Sequence, residues 1–124
     1  MSEVIFTERE LDVMNVLWNL GTGTVADVRE GIRDDLAYTT VLTILRTLEE
    51  KGYVGHEEEG RAYRYHPLVE RDRAQTSALR RMTRKLFDGS TEMLLTRLVS
   101  DRDLEDEEIR RLQELLSERL GRRS

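Results

Sequence analysis

Between Tyr38 and Lys51 the chain places Val41, Ile44, Leu45 and Leu48 at i, i+3, i+4 and i+7. Only an α-helix turns that spacing into one continuous apolar stripe. At about 100° per residue, Thr39, Thr43, Arg46 and Glu50 fall within about 40° of the opposite pole. A helix is therefore expected over Tyr38–Lys51, buried along one side, with hydroxyls and one arginine on the other and Gly52 as its stop. So one-sided a helix needs neighbours to cover its stripe, and the preceding sequence supplies two. Thr7-Glu8-Arg9-Glu10 is a capping box, in which a Thr hydroxyl and a Glu carboxylate each satisfy an orphan amide at a helix start. Val13, Val16, Leu17 and Leu20 follow at helical spacing, widened by Leu11, Met14 and Trp18, until Gly21. Thr24 with Asp27 starts a shorter helix whose Val25, Val28 and Ile32 should face inward, with Gly31 weakening its end.

After Gly52 the period changes. Tyr53–His56 and Ala62–Tyr65 are strand candidates around Glu57-Glu58-Glu59-Gly60-Arg61, a hairpin with a glycine-containing turn. The one proline, Pro67, closes this half. Beyond it every segment is helix-compatible: Glu70–Phe87, broken by Asp88-Gly89-Ser90, then Thr91–Val99, then Leu104–Leu120. Glu105-Asp106-Glu107-Glu108 suits the positive end of a helix macrodipole. Two domains are expected, at 1–69 and 70–124. Charged residues are 36% of the chain against about 25% ordinarily, and three short helices carry more apolar side chains than they can bury alone. A second copy covering Met93, Leu94, Leu98, Ile109, Leu112, Leu115 and Leu116 is the simplest remedy, so a homodimer is expected.

Several function classes drop out. With no cysteine there is no disulfide framework, thiol nucleophile or Cys-ligated metal. No apolar run approaches the about 18 residues of a membrane span, and MSEVIFTERE is acidic rather than a leader, so a soluble cytoplasmic protein with no membrane partner is expected. His56 and His66 flank the hairpin near Glu57–Glu59, but isolated strand histidines are usually packing or surface residues, so no metal is expected. No paired carboxylates, Ser-His-Asp order or phosphate-cradling glycine loop occurs, so neither a cofactor nor enzymatic activity is expected.

A mainly α chain with a small β-hairpin wing, an N-terminal winged helix-turn-helix plus a C-terminal helical dimerisation region, is the architecture these segments describe. The second helix of such a motif fits the DNA major groove. Hydroxyls reach phosphates or base edges, a Thr methyl can touch thymine, and Arg46 can pair bidentately with guanine. A plain solvated helix face can also look like this, and the net charge of -5 argues mildly against nucleic acid and fits the alternative of a protein-docking winged helix. From Arg71 to Lys85 six basic residues (Arg71, Arg73, Arg80, Arg81, Arg84 and Lys85) face one Asp72, a solvated face or a source of attraction to the duplex.

The run from Leu36 to Val54, LAYTTVLTILRTLEEKGYV, closely resembles the recognition-helix signature of the penicillinase-repressor (BlaI/MecI/CopY) family. Thr7–Trp18 resembles that family's first helix, Arg64–Val69 the end of its wing, and Leu94–Leu116 its dimerisation region. The resemblance implies a homodimeric transcriptional repressor on a double-stranded, pseudo-palindromic operator, in an antibiotic or cell-wall stress response. Thr39, Thr40, Thr43 and Arg46 stand where the family reads the groove, with Tyr38 at the helix entrance and Arg61 and Arg64 in the wing near the DNA backbone. Two family switches are missing. The antibiotic-responsive branch is cleaved at an Asn-Phe bond, where this chain has Arg97 and Leu98, and the copper-responsive branch uses C-terminal cysteines. Glu57–Glu59 at or beside the wing tip would repel phosphate, so either the tip points away or Arg61 and Arg64 alone make the backbone contact.

Overall fold

The computed structural model describes residues 3–100 and 103–122. In chain order the elements are α1 (Glu8–Leu20), α2 (Val25–Gly31), α3 (Tyr38–Glu50), β1 (Val54–Glu59), β2 (Ala62–Pro67), α4 (Arg71–Leu86), α5 (Thr91–Val99) and α6 (Asp106–Gly121). They form two compact units, Met1–Leu79 and Arg80–Ser124.

In the first unit both capping boxes form. The Thr7 hydroxyl accepts from the Glu10 amide at 3.1 Å while Glu10 Oε1 accepts from the Thr7 amide at 2.8 Å, and Thr24 and Asp27 repeat the exchange at α2. Gly21 ends α1 at φ 86°, a left-handed conformation that glycine adopts without steric cost. Val13, Met14, Leu17, Val28, Val41, Leu45 and Leu48 are sealed from solvent, so α1, α2 and α3 share one core. Ile32 and Ile44 are half-buried at its margin. Leu20, expected in the stripe, is 54% exposed, because α1's last turn projects beyond the core. Gly31 has a packing role that its low helix propensity conceals: a Cβ there would stand 2.6 Å from Val16 Cγ1, so the glycine lets α2 close on α1.

The hairpin is longer than expected. Glu57, Glu58 and Glu59, expected in the turn, are strand residues of β1, paired with Arg64, Tyr63 and Ala62. The connection shrinks to Gly60-Arg61, with Gly60 at φ 64° as the first residue of a tight turn. Cross-strand pairing overrides the poor strand propensity of glutamate, because opposite-sign and aromatic partners face it across the ladder. Gly23 adds a bridge to the free edge of β2, exchanging main-chain hydrogen bonds with Tyr65 at 2.9 and 2.8 Å. The buried Val54 and Tyr65 join the hairpin to the helical core.

α4 begins inside this unit. Ala74 is buried with Val4 and Val69, against Phe6, Trp18 and Tyr53. This unit runs to Leu79.

In the second unit Asp88 and Gly89 take positive φ (50° and 77°), and the Ser90 hydroxyl caps α5 by accepting from the Met93 amide at 3.1 Å. α6 opens on Asp106, Glu107 and Glu108, where carboxylates complement the macrodipole. Among the described residues, none in α5 or α6 is buried. Leu98, Leu104, Leu112 and Leu115 line an open groove of about 700 Å³, rimmed by Glu108, Arg111 and Glu118.

Candidate nucleic-acid interface

α3 owes its position to its buried stripe and its C-terminal end. Buried Val41, Leu45 and Leu48 fix its rotation, and Lys51 Nζ binds both oxygens of Glu10 at 2.9 and 2.7 Å, tying its C-terminus to the start of α1. Burial pushes the Glu10 carboxyl up, but the Lys51 ammonium and the Thr7 amide together hold it below the usual range. With the apolar stripe turned in, Tyr38, Thr39, Thr40, Thr43 and Arg46 all stand exposed.

Their hydrogen bonds define what this face offers. The Thr43 hydroxyl donates to the Thr39 carbonyl at 2.9 Å and the Thr47 hydroxyl to the Thr43 carbonyl at 3.0 Å. Thr43 is therefore left with acceptor lone pairs, while the Arg46 guanidinium supplies charged donors one turn along. Ala37 at the N-cap gives no side-chain hydrogen bond, so the amides opening α3 are not capped by a local side chain.

The hairpin is fastened beside this face. His56 Nδ1 hydrogen-bonds Glu49 Oε2 of α3 at 2.5 Å, and the imidazole stacks on Tyr63 with ring centroids 4.3 Å apart. Burial raises the Tyr65 phenol pKa, the Glu49 charge adds to the rise and Arg46 opposes it.

Of the two wing arginines, Arg61 lies exposed in the turn. Arg64 is engaged within the chain: its Nε donates to Glu59, its Nη1 to the Thr22 hydroxyl at 3.3 Å, and Asp27 lies 3.7 Å away. The Glu59 hydrogen bond raises the Arg64 pKa. Glu59 of β1 thus neutralises Arg64 of β2 across the hairpin, and Asp27 and Thr22 draw that arginine towards the start of α2.

His66 packs over Gly55, where a Cβ would stand 3.0 Å from its Nε2. Among the described residues no three His, Cys, Asp or Glu side chains are grouped to hold a metal ion, and no helix is long and apolar enough to cross a membrane. Several contacts lie beyond what the sequence pattern predicts. The His56–Glu49 link joins residues on different elements, and Arg71, read only as part of a basic run, lies over Trp18 with its guanidinium carbon 5.5 Å from the ring centroid. A residue i–i+7 carboxylate beside the hairpin was the only trace of the first; nothing local signals the second.

A family model described as penicillinase repressor matches residues 6–118. The chain belongs to the penicillinase-repressor family. It is similar to the methicillin resistance regulatory protein MecI of Staphylococcus aureus (strain N315), 24% identical over 112 residues that span 89% of this chain and 91% of that protein. The transcriptional regulator BlaI of Mycobacterium tuberculosis (strain ATCC 25618 / H37Rv) is 44% identical over 66 residues, 51% of this chain and 48% of that protein. The solution structure of the DNA binding domain of the repressor BlaI superposes with a TM-score of 0.50 at 28% identity, covering 53% of this chain and 83% of that one. The winged-helix architecture expected from the sequence is the one observed, and membership of this family makes the chain a transcriptional repressor rather than an enzyme, with DNA as its partner.

Proposed function

We propose that this penicillinase-repressor family member acts as a homodimer that occupies a pseudo-palindromic operator, each copy laying α3 in the major groove. The observation that carries the reading is the composition of α3's exposed face: Thr39, Thr40, Thr43 and Arg46 stand clear of the core on a helix that buries Val41, Leu45 and Leu48 on its other side. Arg46 pairs with guanine O6 and N7, and Thr43, its hydroxyl hydrogen spent on the Thr39 carbonyl, accepts from an amino group or touches a thymine methyl. Tyr38 stands at the helix entrance and Arg61 lies toward the phosphates, which Arg64 reaches only on release from Glu59, Thr22 and Asp27.

The dimer forms through Met93, Leu94, Leu98, Ile109, Leu112, Leu115 and Leu116. Met93, Leu98, Leu115 and Leu116 are 53%, 52%, 60% and 54% exposed in the single chain, more apolar surface than short helices leave to water without a partner. The names of the relatives, penicillinase repressor and methicillin resistance regulatory protein, support control of genes that answer cell-wall antibiotics. Arg97 and Leu98, which replace the family's cleavable pair, lie exposed on α5 and give no such bond.

Selection from a random duplex pool tests the reading. Enriched sites should be two-fold symmetric, with half-sites about 34 to 36 Å apart or a near multiple. Affinity should lie on the order of 10⁻⁸ to 10⁻¹¹ M and weaken steeply with salt. A pool that yields no symmetric site at low salt contradicts it.

A further inference from the structure

Val69 and the first two turns of α4 are held to the rest of the first unit by contacts of four kinds. Trp18 Nε1 donates to the Val69 carbonyl at 2.8 Å. Arg71 Nη2 donates to Asn19 Oδ1 at 2.7 Å while its guanidinium lies over the Trp18 ring. Ala74 is buried against Val4 and Val69. Ser77, across 73 positions of sequence, accepts from the Val4 amide at 3.0 Å and donates to the Val4 carbonyl at 3.2 Å, pairing that residue as a neighbouring strand would. The segment it pairs with is fastened in turn, because the Ile5 amide donates to the Tyr53 hydroxyl at 3.3 Å, and Tyr53 opens the hairpin.

All four of these contacts lie between Val69 and Ser77, ahead of the end of the first unit at Leu79. A flexible tether between a reading head and a dimerisation region needs none of them, since its main chain would be solvated and its direction unspecified. Here α4 runs unbroken for 16 residues, past the end of the first unit at Leu79. Such a helix is about 24 Å long, so a turn of about 10° at its root moves its far end by about 4 Å. That exceeds the about 3.4 Å rise of one base pair.

We infer that this anchorage determines which half-site spacing the repressor accepts: Ser77, with Val4, Trp18 and Arg71, fixes the direction of α4 relative to α3. The inference rests on the dimeric reading above. None of the four touches DNA in that reading; they are positioning residues, and the property they set is the width of the spacing preference rather than the strength of each half-site contact.

The test uses the full chain and a pool of duplexes carrying two copies of the selected half-site with a spacer of variable length. A single half-site duplex and sedimentation of the free protein serve as references. The wild type is expected to enrich one spacing. Ser77→Ala should raise the adjacent spacings about two- to tenfold relative to the best one, the loss expected for a discarded hydrogen bond. Single half-site affinity and dimer mass should stay unchanged. Ser77→Thr, which keeps the hydroxyl, should restore the narrow preference, and Ser77→Ala combined with Trp18→Phe should broaden it further. A Ser77→Ala profile as narrow as that of the wild type overturns the inference, as does a wild type that takes several spacings equally. An equal loss on the single half-site also overturns it, since Ser77 would then act on the fold as a whole. A monomeric wild type that enriches no paired site contradicts the dimeric reading instead.

Discussion

Glu10 is the one buried acidic side chain among the described residues, and it couples the start of α1 to the end of α3. Its carboxylate closes the α1 capping box and holds Lys51 at the end of α3. Because its pKa is depressed from an ordinary value of 4.5, the stabilisation is fully present above that value and is lost as the pH falls through the lower folded-state value. Urea unfolding followed from pH 7 to pH 3 should show that decline. Glu10→Gln should flatten it and cost about 1 to 3 kcal/mol at neutral pH, since charged hydrogen bonds are lost while Lys51 keeps partial access to water. A variant with the wild-type pH profile would show that other carboxylates govern it. The capping role of Glu10 was legible in Thr7-Glu8-Arg9-Glu10, a local pattern; its bond to Lys51, 41 residues away, has no local signature.

Among the elements, the helices were legible and the hairpin only in outline. α5 spans Thr91–Val99 as its apolar spacing and the Asp88-Gly89-Ser90 break require, whereas Glu57–Glu59 pass for a turn until their cross-strand partners are known. Those partners change the electrostatics of the wing. Glu59 holds Arg64, so Glu59→Gln should free that arginine for phosphate and steepen the salt dependence of DNA binding, by about 0.9 in the log–log slope for one added phosphate contact. An unchanged slope in a salt titration means that Arg64 stays with Asp27 and Thr22. The α1–α2 contact makes a second prediction. Gly31→Ala should destabilise by about 1 to 3 kcal/mol through overpacking against Val16, outweighing the about 1 kcal/mol gained in helix propensity. Adding Val16→Ala should recover much of the loss in thermal melts; independent, additive effects would place the strain elsewhere.

For the whole molecule, the division of labour follows from which surfaces are finished. The first unit has a sealed core, while α5 and α6 leave Leu95, Leu98, Leu115, Leu116 and Leu120 exposed. A chain ending at Leu79 should therefore fold and sediment as a monomer. It should bind half-sites feebly, having lost the effective concentration that joining two readers provides. One ending at Val69 should melt lower, because Arg71, Ala74 and Ser77 go with the missing helix. If the Leu79 fragment is still dimeric, the leucines of α5 and α6 are not the interface. The domains expected from the sequence, 1–69 and 70–124, take no account of the bonds from Ser77 to Val4 and from Trp18 to Val69, which join residues too far apart for periodicity to register.

The account turns on α3 reading base edges. Arg46→Ala, titrated against the selected site and against random duplex, measures this most directly. It should lose about 1 to 3 kcal/mol on the selected site, with relaxed preference at one base position per half-site and little change on random DNA. Equal losses on both duplexes would mean that Arg46 touches only phosphate and that α3 does not read sequence through it.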